Sequence, residues 1–224
     1  MTSFSNPVSV SGYAQRTARL VPGLTDLHRM TALLLAERSP EEARILVLGA
    51  GGGLELKAFA GMYPNWRFCG VDPSTEMLDQ ARTELGTLAA RVQLLNGYIE
   101  NAPEDPFDGA VCLLTLHFLP EEERLRTLRE IHRRLKPGAA FVAAHHSFPN
   151  DAAGKDRWLA RYAAFAAASG MPGMQSENGI AAMKERLPVL PPEEDAALLR
   201  EAGFSDVELF YCAFTFKGWV GYAN

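Results

Sequence analysis

Gly49, Gly51 and Gly53 stand at alternate positions directly after the apolar run Leu46-Val47-Leu48, and Asp72 closes the next apolar run, Phe68-Cys69-Gly70-Val71. Absent Cβ atoms let a backbone turn sharply and let a ligand lie directly on it. A helix opening behind such a turn adds N–H groups that have no intrahelical partner. An aspartate ending the neighbouring strand can accept hydrogen bonds from both ribose hydroxyls of an adenosine. The glycine spacing is GxGxG, with Leu54 where a dinucleotide-binding turn wants a third small residue, so no pyrophosphate is required of the ligand.

Histidines supply the second set of reactive groups. His117, His145 and His146 follow apolar, strand-like runs, where an imidazole with an ordinary pKa of about 6.5 can take a proton from a substrate. His117 and His146 are the catalytic candidates, because the adjacent His145 and His146 must point to opposite faces of one strand. His28 and His132 are expected on helix surfaces away from the crevice. Farther on, Trp158, Tyr162 and Phe165 recur at i, i+4 and i+7, one helical face that reads either as core or as an acceptor pocket. Gly170-Met171-Pro172-Gly173-Met174 then offers a flexible apolar loop able to act as a lid. No His/Cys/Asp grouping has metal-ligand spacing, so a metal-free site is expected. Cys69, Cys112 and Cys212 lie far apart in apolar runs and read as core thiols of a reducing compartment.

These residues need a scaffold, and from Arg44 onward the pattern alternates between β-rich runs and helical periodicity. RILVLG, WRFCGVD, RVQLLNG, FDGAVCLLTL and AAFVAAHH read as strands. Helices are expected from Leu54, over 74–85, over 121–134 and over 192–202, with two more over 13–37 broken at Val21-Pro22-Gly23. Ser74 is a natural N-cap, Glu121, Glu122 and Glu123 suit a positive helix start, and Lys136-Pro137-Gly138 is expected to end that helix. Strands apolar on both faces and separated by helices form a parallel sheet covered on both sides. DVELFYCAF and FKGWVGYA read as an antiparallel pair.

At 224 residues the chain suits one α/β domain, and 47% hydrophobic against 22% charged residues excludes disorder or a coiled coil as the main account of it. A net charge of −5 provides no general positive field for phosphate backbones. The basic runs Arg124/Arg126/Arg129 and Arg133/Arg134/Lys136 alternate with acids and read as a solvated helix face. The first twenty residues hold no continuous apolar stretch, so a cytoplasmic location is expected.

The series LVLGAGGG, GVDPSTEML, FDGAVCLLTLHFL and RRLKPGAAFV resembles the motif order of class I methyltransferases that use S-adenosylmethionine (SAM). The resemblance covers residues 44–144 and implies a Rossmann-like, doubly wound seven-stranded sheet, mostly parallel with an antiparallel C-terminal strand. It implies SAM as cofactor and S-adenosylhomocysteine as product. Gly49, Ala50, Gly51 and Gly53 would line the methionine end, and Asp72 and Pro73 the ribose. Met77 would pack near the adenosine, Tyr98 and Ile99 would lie at the adenine, and Leu114, Thr115 and His117 beside the sulfonium. Two positions depart from the family pattern. Val47 replaces a usual acid, its place left to Glu55 or to water, and Tyr98 replaces a second.

VPGL, LTLHFL and AGFSDVELFYCAFTF resemble more narrowly the synthases of carboxy-SAM that serve wobble-uridine modification of tRNA. That resemblance implies an arginine for the extra carboxylate in the helix before AGF; the matching position is Leu198, which favours ordinary SAM. The expected activity is therefore methyl transfer to a small-molecule acceptor, with no nucleic acid or membrane partner and a homodimer left open. A carboxy-SAM synthase-like role, or noncatalytic SAM or nucleoside binding, are the alternatives. The organisation expected is one domain over 1–224. It comprises a helical cap (1–40), a SAM-binding core (41–146), an insertion carrying the acceptor pocket or lid (147–191), and a final helix with a strand pair (192–224).

Overall fold

The computed structural model describes residues 12–171, 181, 183–185 and 187–224. Its frame is one sheet of seven strands: β1 (Arg44–Leu48), β2 (Arg67–Asp72), β3 (Val92–Asn96), β4 (Phe107–Leu113), β5 (Leu135–His146), β6 (Phe204–Ala213) and β7 (Phe216–Ala223). The order across the sheet is β3-β2-β1-β4-β5-β7-β6. The first five strands run parallel, and β7 lies antiparallel to both β5 and β6. Strand order reverses between β1 and β4, and ligands of open parallel sheets bind beyond the strand ends at such a reversal.

Alternation along each strand sorts the core into two layers. Ile45, Val47, Val111 and Val142 face one side, packed with Leu27 and Leu35 of α2 (Leu24–Ala36) and Leu56 and Phe59 of α3 (Leu54–Met62). Leu46, Ala110, Cys112 and Phe141 face the other, where α5 (Glu121–Arg133) supplies Leu128 and Ile131 and α7 (Pro192–Glu201) supplies Leu198 and Leu199. Apolar residues on both faces are what a sheet sandwiched between helices demands, as the sequence predicts. Ahead of α2 lies α1 (Tyr13–Leu20), and α4 (Thr75–Leu85) follows β2 with the Ser74 hydroxyl accepting the Met77 N–H at 3.2 Å.

Several sequence expectations need correction. Lys136, Pro137 and Gly138 do not end α5. They form an irregular start to β5, where the register jumps from Phe107↔Leu135 to Gly109↔Ala140 and Lys136 reaches Asp108 at 2.6 Å. The helix stops at Arg134, whose guanidinium donates back to the Glu130 carbonyl at 2.9 Å and so satisfies a terminal acceptor locally. Nor is the basic run uniformly solvated, since Arg124 and Arg134 are buried. His28 is buried against Phe59, and His132 packs edge-on against Phe204. Cys212 is exposed on β6, unlike the buried Cys69 and Cys112.

The alanine-rich segment 152–168 forms α6 (Ala152–Ala168), begun by Asp151 accepting the Gly154 N–H at 2.9 Å. Its aromatic stripe packs on the β6–β7 turn. Trp158 lies 5.2 Å from the Lys217 ammonium, Tyr162 5.8 Å from Phe216, and Phe165 5.5 Å from Phe214. Of the expected lid, Pro172, Gly173 and Met174 lie outside the described residues.

Candidate functional site

The turn after β1 is bound to its neighbours from both sides. Gly49 and Ala50 donate to the Val71 carbonyl at 2.8 and 3.1 Å, and Gly52 donates to the Met77 carbonyl at 3.0 Å. Gly49 has φ +79°, and a Cβ there would lie 2.0 Å from Thr115 Oγ1. At Gly51 a Cβ would meet Asp72 Oδ2 at 2.7 Å and Met77 Cβ at 2.8 Å. Both positions therefore admit glycine alone without displacement of β2, α4 or the β4 terminus. Ala50 is buried, and Gly53 caps α3 against Ala81 of α4.

Asp72 holds this turn in place. Its Oδ2 accepts the Gly51 N–H at 3.0 Å and its Oδ1 the Ser74 N–H at 2.9 Å. Burial raises its pKa, while those two amide bonds pull the other way. A carboxylate offers about four lone-pair directions, so two remain for a ligand diol. Pro73 is exposed, its carbonyl fixed by Asn96 at 3.1 Å. Met77 is buried beside Gly51. Across β3, the Gly97 N–H donates to the Asp72 carbonyl at 3.0 Å. Tyr98 is 51% exposed at the rim, whereas the Ile99 side chain belongs to the buried cluster and can serve a ligand through its backbone only.

At the end of β4, Leu114 takes φ +57°, a left-handed conformation that costs an ordinary side chain about 1–2 kcal/mol. Its N–H is held by the Ala144 carbonyl at 2.6 Å, and the next residue, Thr115, donates to the Leu113 carbonyl at 2.9 Å while touching the space over Gly49. Val47, fully buried in the apolar layer, could not be an acid without rebuilding that layer.

Two further residues close the site. Tyr13 of α1 lies over Gly52, where a Cβ would stand 2.4 Å from its ring, and burial together with Glu55 pushes its phenol up to about 12. No sequence signal points to Tyr13, because a tyrosine starting an N-terminal helix reads as ordinary packing. Glu55, in the first turn of α3, is 6% exposed; burial pushes its carboxyl up to about 8 against the pull of its own backbone amide, with Asp72 adding to the rise.

His117 sits on a short 3-10 turn, Leu116–Phe118, and His146 ends β5; the rings meet edge to face at 4.8 Å. The His146 N–H points to His117 Nδ1 at 3.5 Å, and His146 Nδ1 lies 2.9 Å from the buried Thr215 hydroxyl. Burial, with the neighbouring His146, His145 and Arg124, lowers His117 well below its usual range, and burial with His145 and Lys217 lowers His146 to about 3. Both are neutral near pH 7. Imidazoles so hard to protonate are weak general bases and serve better as fixed hydrogen-bonding groups.

His145 points to the opposite face, as strand geometry requires, with Nε2 3.2 Å from Asp195 Oδ1. Asp195 pairs with Arg124, and both are buried. Burial pushes the Asp195 carboxyl up, but His145, Arg124 and Ser147 outweigh it and hold the group below its usual range. Arg124 also donates to the Pro188 carbonyl at 2.9 Å, binding the segment just before α7 to α5. Helical periodicity places Arg124 on the same face as Thr127, Leu128 and Ile131, the buried side of α5, but its partner in α7 leaves no local trace. Leu198 belongs to the same buried layer, and its apolar character is a packing requirement that carries no information about a ligand carboxylate.

Residues 45–138 match a family model described as a methyltransferase domain. The chain is similar to a carboxy-S-adenosyl-L-methionine synthase from Chromohalobacter salexigens, 29% identical over 229 residues that cover 99% of this chain and 83% of that protein. It is equally similar to the synthase of that name from Actinobacillus succinogenes, 29% identical over 204 residues, covering 88% and 84%. Among solved structures it resembles human N-acetylserotonin methyltransferase in complex with SAM, with TM-score 0.62 and 16% identity over 96% of this chain and 58% of that one. Phosphoethanolamine N-methyltransferase 2 of Haemonchus contortus in complex with SAM gives 0.65 and 18%, covering 92% of this chain and 43% of that one. At these identities the solved structures show a common fold. Both sequence resemblances, to class I methyltransferases and to the carboxy-SAM synthases, stand.

Proposed function

We propose that this chain binds SAM on the turn formed by Gly49 to Gly53 and transfers its methyl group to a small, moderately apolar acceptor. The observation that carries the reading is the seal between Gly51 and Asp72 at the reversal of strand order. There a cradle that any Cβ would fill lies beside a carboxylate with free lone pairs. These residues fit the group: the turn asks for a ligand without a pyrophosphate, and Asp72 suits a ribose diol.

SAM supplies the electrophilic methyl on a sulfonium. For the rest, the chain's residues position and exclude water, which is most of what an in-line displacement needs. Thr115 and Leu114 fix the floor next to Gly49. His117 and His146, held neutral, orient an acceptor by hydrogen bonding, while Phe216 stacked at 4.0 Å and Tyr162 at 5.2 Å keep the His146 ring in place.

A second reading, a carboxy-SAM synthase-like activity, is favoured by relatives of that name matching over nearly the whole chain. Thermal unfolding with SAM, S-adenosylhomocysteine, carboxy-SAM and NADH separates the readings. A ligand at about 100 times its Kd adds roughly 2.7 kcal/mol, a rise of about 5–10 °C for a chain of this size. A rise with SAM and its demethylated product supports methyl transfer, a larger one with carboxy-SAM supports the second reading, and none with any sulfur compound sinks both.

A further inference from the structure

We propose that the Glu55 carboxylate is the counter-charge for a cationic centre, an ammonium or sulfonium, of the ligand seated on the glycine turn. The inference rests on the functional reading above and adds to it a residue and a charge requirement. Glu55 stands two positions behind Gly53, in the first turn of α3, and is 6% exposed. Among the described residues the groups acting on it are its own backbone amide, Asp72 of β2, Tyr13 of α1 and Cys112 of β4. None of these is a cation. Two carboxyls and a phenol thus gather at the turn; Arg16 of α1 acts on the Tyr13 phenol, but among the described residues no cation acts on Glu55, and a dry carboxyl so placed is matched only when a positive group enters beside it.

A proton balance follows. With its pKa pushed up to about 8, Glu55 is mostly protonated in the free protein at neutral pH. When the cation arrives, the carboxyl O–H breaks, the proton passes to buffer, and a carboxylate–cation pair remains. Tyr13, at about 12, and Cys112, also about 12, keep their protons throughout this range. Asp72, raised by burial, is the other group able to titrate and is therefore tested separately.

The experiment is calorimetric titration of the full chain with S-adenosylhomocysteine and with SAM, between about pH 5.5 and 7.5, below the range of a free α-amino group. Each pH is run in two buffers of different ionisation enthalpy. The expected result is release of close to one proton and an affinity rising close to tenfold per pH unit. In Glu55→Gln, checked for folding by its unfolding midpoint, the slope vanishes and affinity at the upper pH falls at least tenfold. Asp72→Asn weakens binding but keeps the slope. Binding that is independent of pH and buffer in the unsubstituted chain overturns the inference and leaves the methyltransferase reading intact. A slope lost in Asp72→Asn and kept in Glu55→Gln overturns it equally. Failure of both compounds to bind at every pH removes the functional reading and the inference with it.

Discussion

Asp72 spends one oxygen on each of two backbone amides, so its removal has structural and binding consequences that can be measured apart. Asp72→Ala leaves the Gly51 and Ser74 N–H groups without their acceptor, and an unfulfilled donor of this kind costs about 1–3 kcal/mol. Urea unfolding is expected to show that loss without a change in m-value, while SAM affinity falls at least tenfold. Gly51→Ala puts a methyl 2.7 Å from Asp72 Oδ2 and must push the carboxylate aside. The expected outcome is weaker SAM binding, by about tenfold or more, which corresponds to roughly 1.4 kcal/mol; unchanged affinity would mean that the ligand does not lie on this turn. Glycines and aspartate were recognisable as a set from their spacing. Tyr13 was not, because it reaches Gly52 from another element across a stretch of chain with no shared pattern.

Between elements, the buried Arg124–Asp195 pair joins α5 to α7 and, through the Pro188 carbonyl, to the segment just before α7. Removing one member strands a buried charge, which typically costs 3–5 kcal/mol, whereas replacing both with apolar residues of similar volume is far milder. Arg124→Met and Asp195→Leu are each expected to lose about that much in denaturant unfolding, and the double variant less than either alone. Additive losses would show that the two side chains do not act as a pair. The strands and most helices were legible because burial on two faces writes continuous apolar runs and helices write a 3.6-residue period. The start of β5 departs from its sequence pattern for a local reason. Lys136-Pro137-Gly138 has the composition of a helix stop, but the Lys136–Asp108 contact and the register shift beside β4 draw it into the sheet.

Over the whole molecule, buried titratable groups set opposing pH dependences. His28, lowered to about 4 by burial, His146, lowered to about 3, and His117, lowered further than a surface histidine allows, all bind protons more readily unfolded than folded. Their contribution is complete above about pH 6.5 and is lost as pH falls, at up to about 1.4 kcal/mol per unit for each group. Glu55 has the opposite sign. Its folded pKa is raised to about 8, so its contribution is complete below the unfolded value and is lost as pH rises through about 8. Three histidines outweigh one glutamate between about pH 4.5 and 6.5, and Glu55 dominates above. The unliganded chain is therefore expected to have its highest unfolding midpoint near pH 6.5, with a steep acid limb and a shallow alkaline one. Midpoints that climb steadily to pH 9 would contradict the buried state of Glu55. Among the described residues, no helix is long and apolar enough to cross a membrane.

The sequence by itself determined the sheet, its coverage on both faces, the terminal antiparallel pair, and the glycine–aspartate partnership at the ends of β1 and β2. Those features are local or periodic, and a linear pattern records them. Only the tertiary structure decided that Tyr13 closes over Gly52, that Glu55 is buried with no cation acting on it among the described residues, that Arg124 on the buried face of its helix pairs with Asp195, and that His117 meets His146 in a space too dry to charge either. Each of these depends on residues distant in sequence meeting where water is excluded. Burial of that kind sets charge states, and no single stretch of chain contains it.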